Sequence, residues 1–155
     1  MKKLSKDNKG FTLVEMIVVL VILAILAAIL IPGLLGYIDD AKDKQLEIHG
    51  KAVYTAAQSV ASKFYGTNKN PSEGSKTTGN QKDYIDKVRE LSEISSFSGS
   101  ATIYFEGSTG RDAYKVRGIK YSESGNDRYL VTGTSEWSKT DPGVASSSGY
   151  SIPLQ

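Results

Sequence analysis

Hydrophobic and polar positions fall into three regimes along this chain. From Phe11 to Ile38 the residues are apolar almost throughout, and Met16 to Ile38 contains no charged side chain. Beyond Asp39 apolar positions recur with helical spacing. Leu46, Val53, Ala57, Val60 and Phe64 are seven, four, three and four residues apart, which places them on one face of a helix. Phe64-Tyr65-Gly66 offers a stop, so an amphipathic helix is expected over 39–65. From Ala101 the period falls to two, the spacing of a half-buried strand.

Between the second and third regimes lies GTNKNPSEGSKTTGNQ, Gly66 to Gln81, without an aliphatic or aromatic residue. It reads as an exposed loop. A short helix is expected over 82–93, with Tyr84, Ile85, Val88 and Leu91 on one face and Asn80 or Gln81 near its start. Ala101, Ile103 and Phe105 then alternate with Thr102, Tyr104 and Glu106. Tyr114 and Val116 alternate with Lys115 and Arg117, and Gly118 permits a bulge before Ile119 and Tyr121. Tyr129-Leu130-Val131-Thr132 forms a further strand, and GSTGRD and ESGND supply turns. The expectation is an α+β fold: a long amino-terminal helix, half membrane-spanning and half amphipathic, whose Val53–Phe64 stripe packs on an antiparallel sheet of three or four strands at about 101–134. Trp137 is expected at the edge of the core, and Asp141 to Gln155 is a Gly- and Ser-rich tail.

Charge sharpens this division. Lys2, Lys3, Lys6 and Lys9 against Asp7 make the first ten residues basic, whereas the rest of the chain carries 15 basic and 16 acidic residues. The formal net charge of +2 therefore belongs to the amino end, and the remainder is no polyanion binder by charge. The chain has no cysteine, which excludes disulfides, thiolate metal sites and cysteine nucleophiles.

A basic head before an apolar run suggests a secretory signal peptide, with an apolar region of about 7–15 residues and a small-residue cleavage site. Here the run is longer, and it leads through Pro32, Gly33 and Gly36 into more helix with no Ala-x-Ala junction. A plain transmembrane anchor fits the length, since about 20 residues cross the roughly 30 Å hydrocarbon layer. The lysines would hold its amino end in the cytoplasm. Neither reading accounts for Glu15, because a carboxylate within a membrane helix costs roughly 2.5–3.5 kcal/mol on insertion scales. A cut between Gly10 and Phe11 would create an α-amine able to compensate that carboxylate.

Lys9-Gly10-Phe11-Thr12-Leu13-Val14-Glu15, followed by the apolar helix and Pro32, resembles the class III leader of the type IV pilin superfamily, in its type IVa-like form. The resemblance covers about 30 residues. It implies a structural subunit rather than an enzyme, without cofactor or metal. Residues 1–10 would be a leader removed after Gly10 by a prepilin peptidase, with Phe11 methylated as the new first residue. Residues 11–38 would be the transmembrane and polymerisation helix, with Glu15 as the assembly glutamate, and 39–155 a pilin head. Pro32, Gly33 and Gly36 would mark a kink, or a stretch that loses helicity in the filament. The implied partners are further copies of the chain, the peptidase, the pilus assembly platform and, before assembly, the cytoplasmic membrane. The implied end point is a surface filament serving adhesion, twitching motility or aggregation, with an unidentified receptor. Pseudopilins of type II secretion or DNA-uptake machines share the leader and are the alternative. A single-pass membrane protein with a ligand-binding head, left uncut, is a further one. The absence of cysteine resembles Gram-positive pilins.

The head offers little further chemistry. His49, the only histidine, is expected on a helix surface without a partner. Lys115, Arg117, Lys120 and Arg128 near Tyr104 and Tyr121 could form a basic, aromatic strip for DNA, although solvent-facing strand residues explain them more simply. Asp127 and Asp141 could contribute to a calcium site, but two carboxylates fall short of the usual six to eight oxygens.

Overall fold

The computed structural model describes residues 10–93, 99–144 and 149–154. The leader residues 1–9 lie outside them. The described elements are α1 (Leu13–Gly66), α2 (Gly79–Ser92), β1 (Ser100–Phe105), a 3-10 turn (Gly110–Tyr114), β2 (Val116–Glu123), β3 (Asn126–Val131) and β4 (Ser151–Pro153). The chain divides into two compact units, Met1–Lys42 and Asp43–Gln155.

In the second unit the four strands form one antiparallel sheet in the order β3-β2-β1-β4. Residues of β1 alternate between partly exposed and buried, with Ala101, Ile103 and Phe105 inward. They meet Val116, Ile119, Tyr121 and Leu130 of β2 and β3, and the stripe Leu46, Val53, Ala57, Val60 and Phe64 of α1. This is the α+β arrangement that the two periodicities require: a helix exposes one apolar stripe and a sheet one apolar face, and each covers the other. Helix α2 adds Tyr84, Ile85 and Val88. The Tyr84 hydroxyl, fully buried, donates to the Ala57 carbonyl at 2.8 Å.

Arg117 is the extra residue of a bulge in β2, since Tyr104 lies opposite Gly118 and Phe105 opposite Val116. Glycine is required at 118. A Cβ there would lie 2.4 Å from the Leu130 carbonyl oxygen and 2.9 Å from Val144 Cγ1. The polar segment after α1 is held by its own side chains. Asn70 accepts from the Ser72 amide at 2.9 Å and donates to the Ser108 carbonyl at 3.2 Å, while Asn80 donates to Glu73 at 2.9 Å.

Three details differ from the sequence reading. Leu91 is 51% exposed: the inward face of α2 runs through Tyr84, Ile85, Val88 and Ser92, and Leu91 lies at its margin. Tyr114 closes the 3-10 turn, and β2 starts only at Val116. The tail also carries regular structure. Ile152 and Leu154 are buried, and β4 pairs with Thr102–Tyr104 of β1.

Without a disulfide, several contacts secure this tail. Arg89 Nε donates to the Leu154 carbonyl at 2.8 Å, and the Tyr150 hydroxyl donates to the Ala113 carbonyl at 2.7 Å. The Tyr150 ring stacks on Phe105 with centroids 4.3 Å apart and planes 5° apart.

Trp137 lies on α1 at Gly50, where a Cβ would come within 2.4 Å of its ring. Gly50→Ala is therefore expected to displace the ring, although alanine favours the helix by about 1 kcal/mol. The side chain being displaced is worth roughly 1.5–3 kcal/mol when buried, so a net loss near 1 kcal/mol should remain. Trp137 is the only tryptophan, and its fluorescence in urea unfolding reads both effects. A red-shifted native emission with a lower midpoint is expected; unchanged emission would show that the contact is dispensable.

Candidate assembly segment

Helix α1 begins immediately after the Gly10-Phe11 junction. Thr12 stands before its first residue, and the side chain of Glu15 folds back onto it. The Thr12 amide donates to Glu15 Oε2 at 2.8 Å, the Thr12 hydroxyl donates to the same oxygen at 2.7 Å, and the Glu15 amide donates to Thr12 Oγ1 at 3.2 Å. This reciprocal pattern is a capping box, which satisfies amides that have no partner within the helix. The Thr-x-x-Glu spacing signals it in the sequence, and the sequence reading passed over it. Glu15 is thus hydrogen-bonded within its own chain, but only to neutral donors.

Beyond Glu15 the helix is bare. Its large apolar side chains from Leu13 to Ile38 are between 41% (Ile38) and 75% exposed (Leu13, Tyr37), and Phe11 before it is 83% exposed. A helix apolar on every side needs lipid or other protein around it. Among the described residues this is the one helix long and apolar enough to cross a membrane. Pro32 lies inside α1, which stays helical through Gly33 and Gly36. Neither glycine has a heavy atom within 4 Å of where its Cβ would be, so packing within this chain requires neither.

The candidate sites of the head dissolve into internal pairs. Lys115 contacts Asp112 at 2.9 Å and Glu106 at 3.4 Å, and Lys120 contacts Asp127 at 2.8 Å. Arg128, 5% exposed, pairs with Asp43, which also receives Lys139 at 2.9 Å. The Lys139 hydrogen bond, with the Arg128 charge, lowers the Asp43 pKa despite some desolvation. Arg117 donates to the Gly143 carbonyl at 3.2 Å. Tyr121 is buried in the core, so it cannot stack on a base. Lys115, Lys120 and Arg128 are thus charge-paired and Arg117 is bonded to a carbonyl, which favours the simpler reading over a DNA-binding strip.

His49 is corrected. Its Nδ1 lies 2.9 Å from Glu123 Oε2, which also accepts from the Tyr121 hydroxyl at 2.9 Å. Burial, with the bond to Glu123, holds the Tyr121 hydroxyl well above its ordinary pKa. Asp141 accepts from the amides of Gly143 and Val144 at 2.9 and 2.7 Å, and Asp127 is occupied by Lys120. Among the described residues no group of three or more potential metal ligands exists.

The functional signal thus lies at the amino end, and comparison with known proteins points there too. Residues 5–31 match the family model described as the prokaryotic N-terminal methylation motif. The amino-terminal segment is similar to that of prokaryotic proteins methylated at their amino terminus. A relative, the type IV major pilin protein PilA of Myxococcus xanthus (strain DK1622), is 38% identical over 60 residues, or 39% of this chain. The chain covers 27% of the length of that pilin. No solved structure matches. Type IV pilins form a structural family whose members assemble with other pilin subunits. The Gly10–Phe11 junction, the Thr12–Glu15 box and most of the bare apolar helix all fall within the matched motif.

Proposed function

We propose that this chain is a prepilin, cut between Gly10 and Phe11 by a prepilin peptidase, methylated at Phe11 and polymerised through residues 11–38 into a type IV pilus. One observation carries the reading: a lone carboxylate, Glu15, stands four residues beyond Phe11 in a helical stretch that is otherwise uncharged as far as Ile38 and exposed along its length. Cleavage supplies a Phe11 amine, largely cationic with a pKa of about 7.7–8.0. That amine can compensate the Glu15 carboxylate of another copy as the helices leave lipid and pack together. The precursor would sit in the cytoplasmic membrane with residues 39–155 outside, and the product would be a surface filament for adhesion, twitching motility or aggregation. Pro32, Gly33 and Gly36 would let the helix bend or locally unwind on assembly, since proline removes a backbone hydrogen bond and glycine weakens a helix by about 1 kcal/mol.

Mass spectrometry of the chain from cells tests the first step. A terminus at Phe11 carrying one extra methyl group is expected. A chain retaining Met1–Gly10 would favour an uncut membrane protein instead. The match to a protein named a major pilin favours the pilus over a pseudopilin; electron microscopy of long surface fibres containing this chain checks that choice.

A further inference from the structure

Beyond Ile38, the exposed large hydrophobic residues among those described are Ile48, Tyr65 and Leu91, and two of the three meet in one place. Ile48, 67% exposed, and Leu91, 51% exposed, flank an open groove of about 540 Å³ between α1 and α2. Lys51, Ala52, Thr55 and Ala56 also line it. The spacing of Ile48, Lys51, Ala52 and Thr55 puts them on a single helix face, with small residues where an approaching helix would lie closest. The Lys51 ammonium lies 5.0 Å from the Tyr54 ring centroid and has no carboxylate partner among the described residues.

The complementary surface is on the same chain. Leu34, Tyr37 and Ile38 share one helix face and are 58%, 75% and 41% exposed. Asp40, three residues beyond Tyr37, has no cationic partner among the described residues. Nearer the amino end the exposed helix offers only Glu15 as a charge, and that carboxylate is engaged by Thr12. The Leu34–Asp40 turn thus combines bare apolar side chains with an unpaired carboxylate, matching the bare apolar pair and unpaired ammonium of the groove.

We infer that the groove between α1 and α2 receives the Leu34–Asp40 turn of a second copy, with Asp40 of that copy beside Lys51. The inference rests on the pilin reading and deepens it. The two surfaces differ, so the contact is heterologous: each copy offers a groove to one neighbour and a turn to another. Such a contact propagates into an open helical polymer rather than closing on itself.

The test uses the full-length chain, which has no cysteine of its own. Lys51→Cys copies and Asp40→Cys copies are produced together, and surface filaments are treated with a short bis-maleimide. A cross-linked dimer is expected when both variants are present and not when either is alone. Filaments containing both variants without the dimer would overturn the inference and mean that the groove is open or filled by something else. Dimers from either variant alone would overturn it too. If the cysteine variants do not assemble, charge exchange decides: Lys51→Glu should lower filament yield and Lys51→Glu with Asp40→Lys should restore it, and no restoration would overturn the inference. A wild-type chain that forms no filaments would instead sink the pilin reading itself.

Discussion

Glu15→Val is expected to leave membrane insertion and cleavage intact while filament yield collapses. Removing the carboxylate relieves an insertion cost of roughly 2.5–3.5 kcal/mol, so the precursor should enter the bilayer at least as well. In the proposed filament the same change would leave the Phe11 amine of a neighbour buried without its counter-charge. Breaking a buried pair from one side costs about 3–5 kcal/mol, which at about 1.4 kcal/mol per factor of ten weakens each subunit addition at least a hundredfold. The capping box supplies a competing explanation, because valine also removes the bonds that Thr12 makes to Glu15. A lost cap costs about 1 kcal/mol. Glu15→Gln separates the two, since glutamine can complete a capping box but carries no charge. Glutamine should fail as valine does, whereas wild-type yield from it would assign Glu15 to starting the helix. Quantifying sheared filaments beside membrane-bound, cleaved chain reads both variants.

What the sequence reveals of this protein depends on how far apart the interacting residues are. The capping box, the bare helix and the junction before them are local, and each can be read within a window of a few turns. The α+β fold is legible for a related reason: the stripe from Val53 to Phe64 and the alternation from Ala101 to Phe105 each announce an apolar face. Two such faces have little choice but to cover one another.

Other missed features depend on how the chain folds around them. β4 is Ser-Ile-Pro after a Gly- and Ser-rich run, and it becomes a strand only because β1 offers it a free edge. His49 and Glu123 are 74 positions apart, and nothing near either announces the other. The four cations of the supposed strip look alike in sequence. Only the folded turns and bulge bring Asp112, Asp127 and the Gly143 carbonyl to three of them, and only the packing of α1 on the sheet brings Asp43 to Arg128. Gly50 reads as a weakness in the helix until Trp137 is placed on it.

Phe105→Ala should be the most damaging single truncation in the head. The ring is fully buried, edge-on to Tyr84 at 5.7 Å between centroids and stacked on Tyr150 at 4.3 Å. Truncating a buried phenylalanine costs about 3–5 kcal/mol, a large share of the roughly 5–15 kcal/mol that holds a typical domain together. The loss also reaches the tail, because Tyr150 precedes β4 and would keep its bond to the Ala113 carbonyl but lose its stacking partner. Tyr150→Ala should cost less, since that ring is only partly buried and the core remains filled. In urea unfolding of the detergent-solubilised chain, Phe105→Ala should shift the midpoint further than Tyr150→Ala, and limited proteolysis should cut the tail of both variants faster than wild type. If neither variant loosened the tail, it would be held by β4 pairing and Arg89 alone. The order expected here follows from position: Phe105 joins α2, the sheet and the tail at one point.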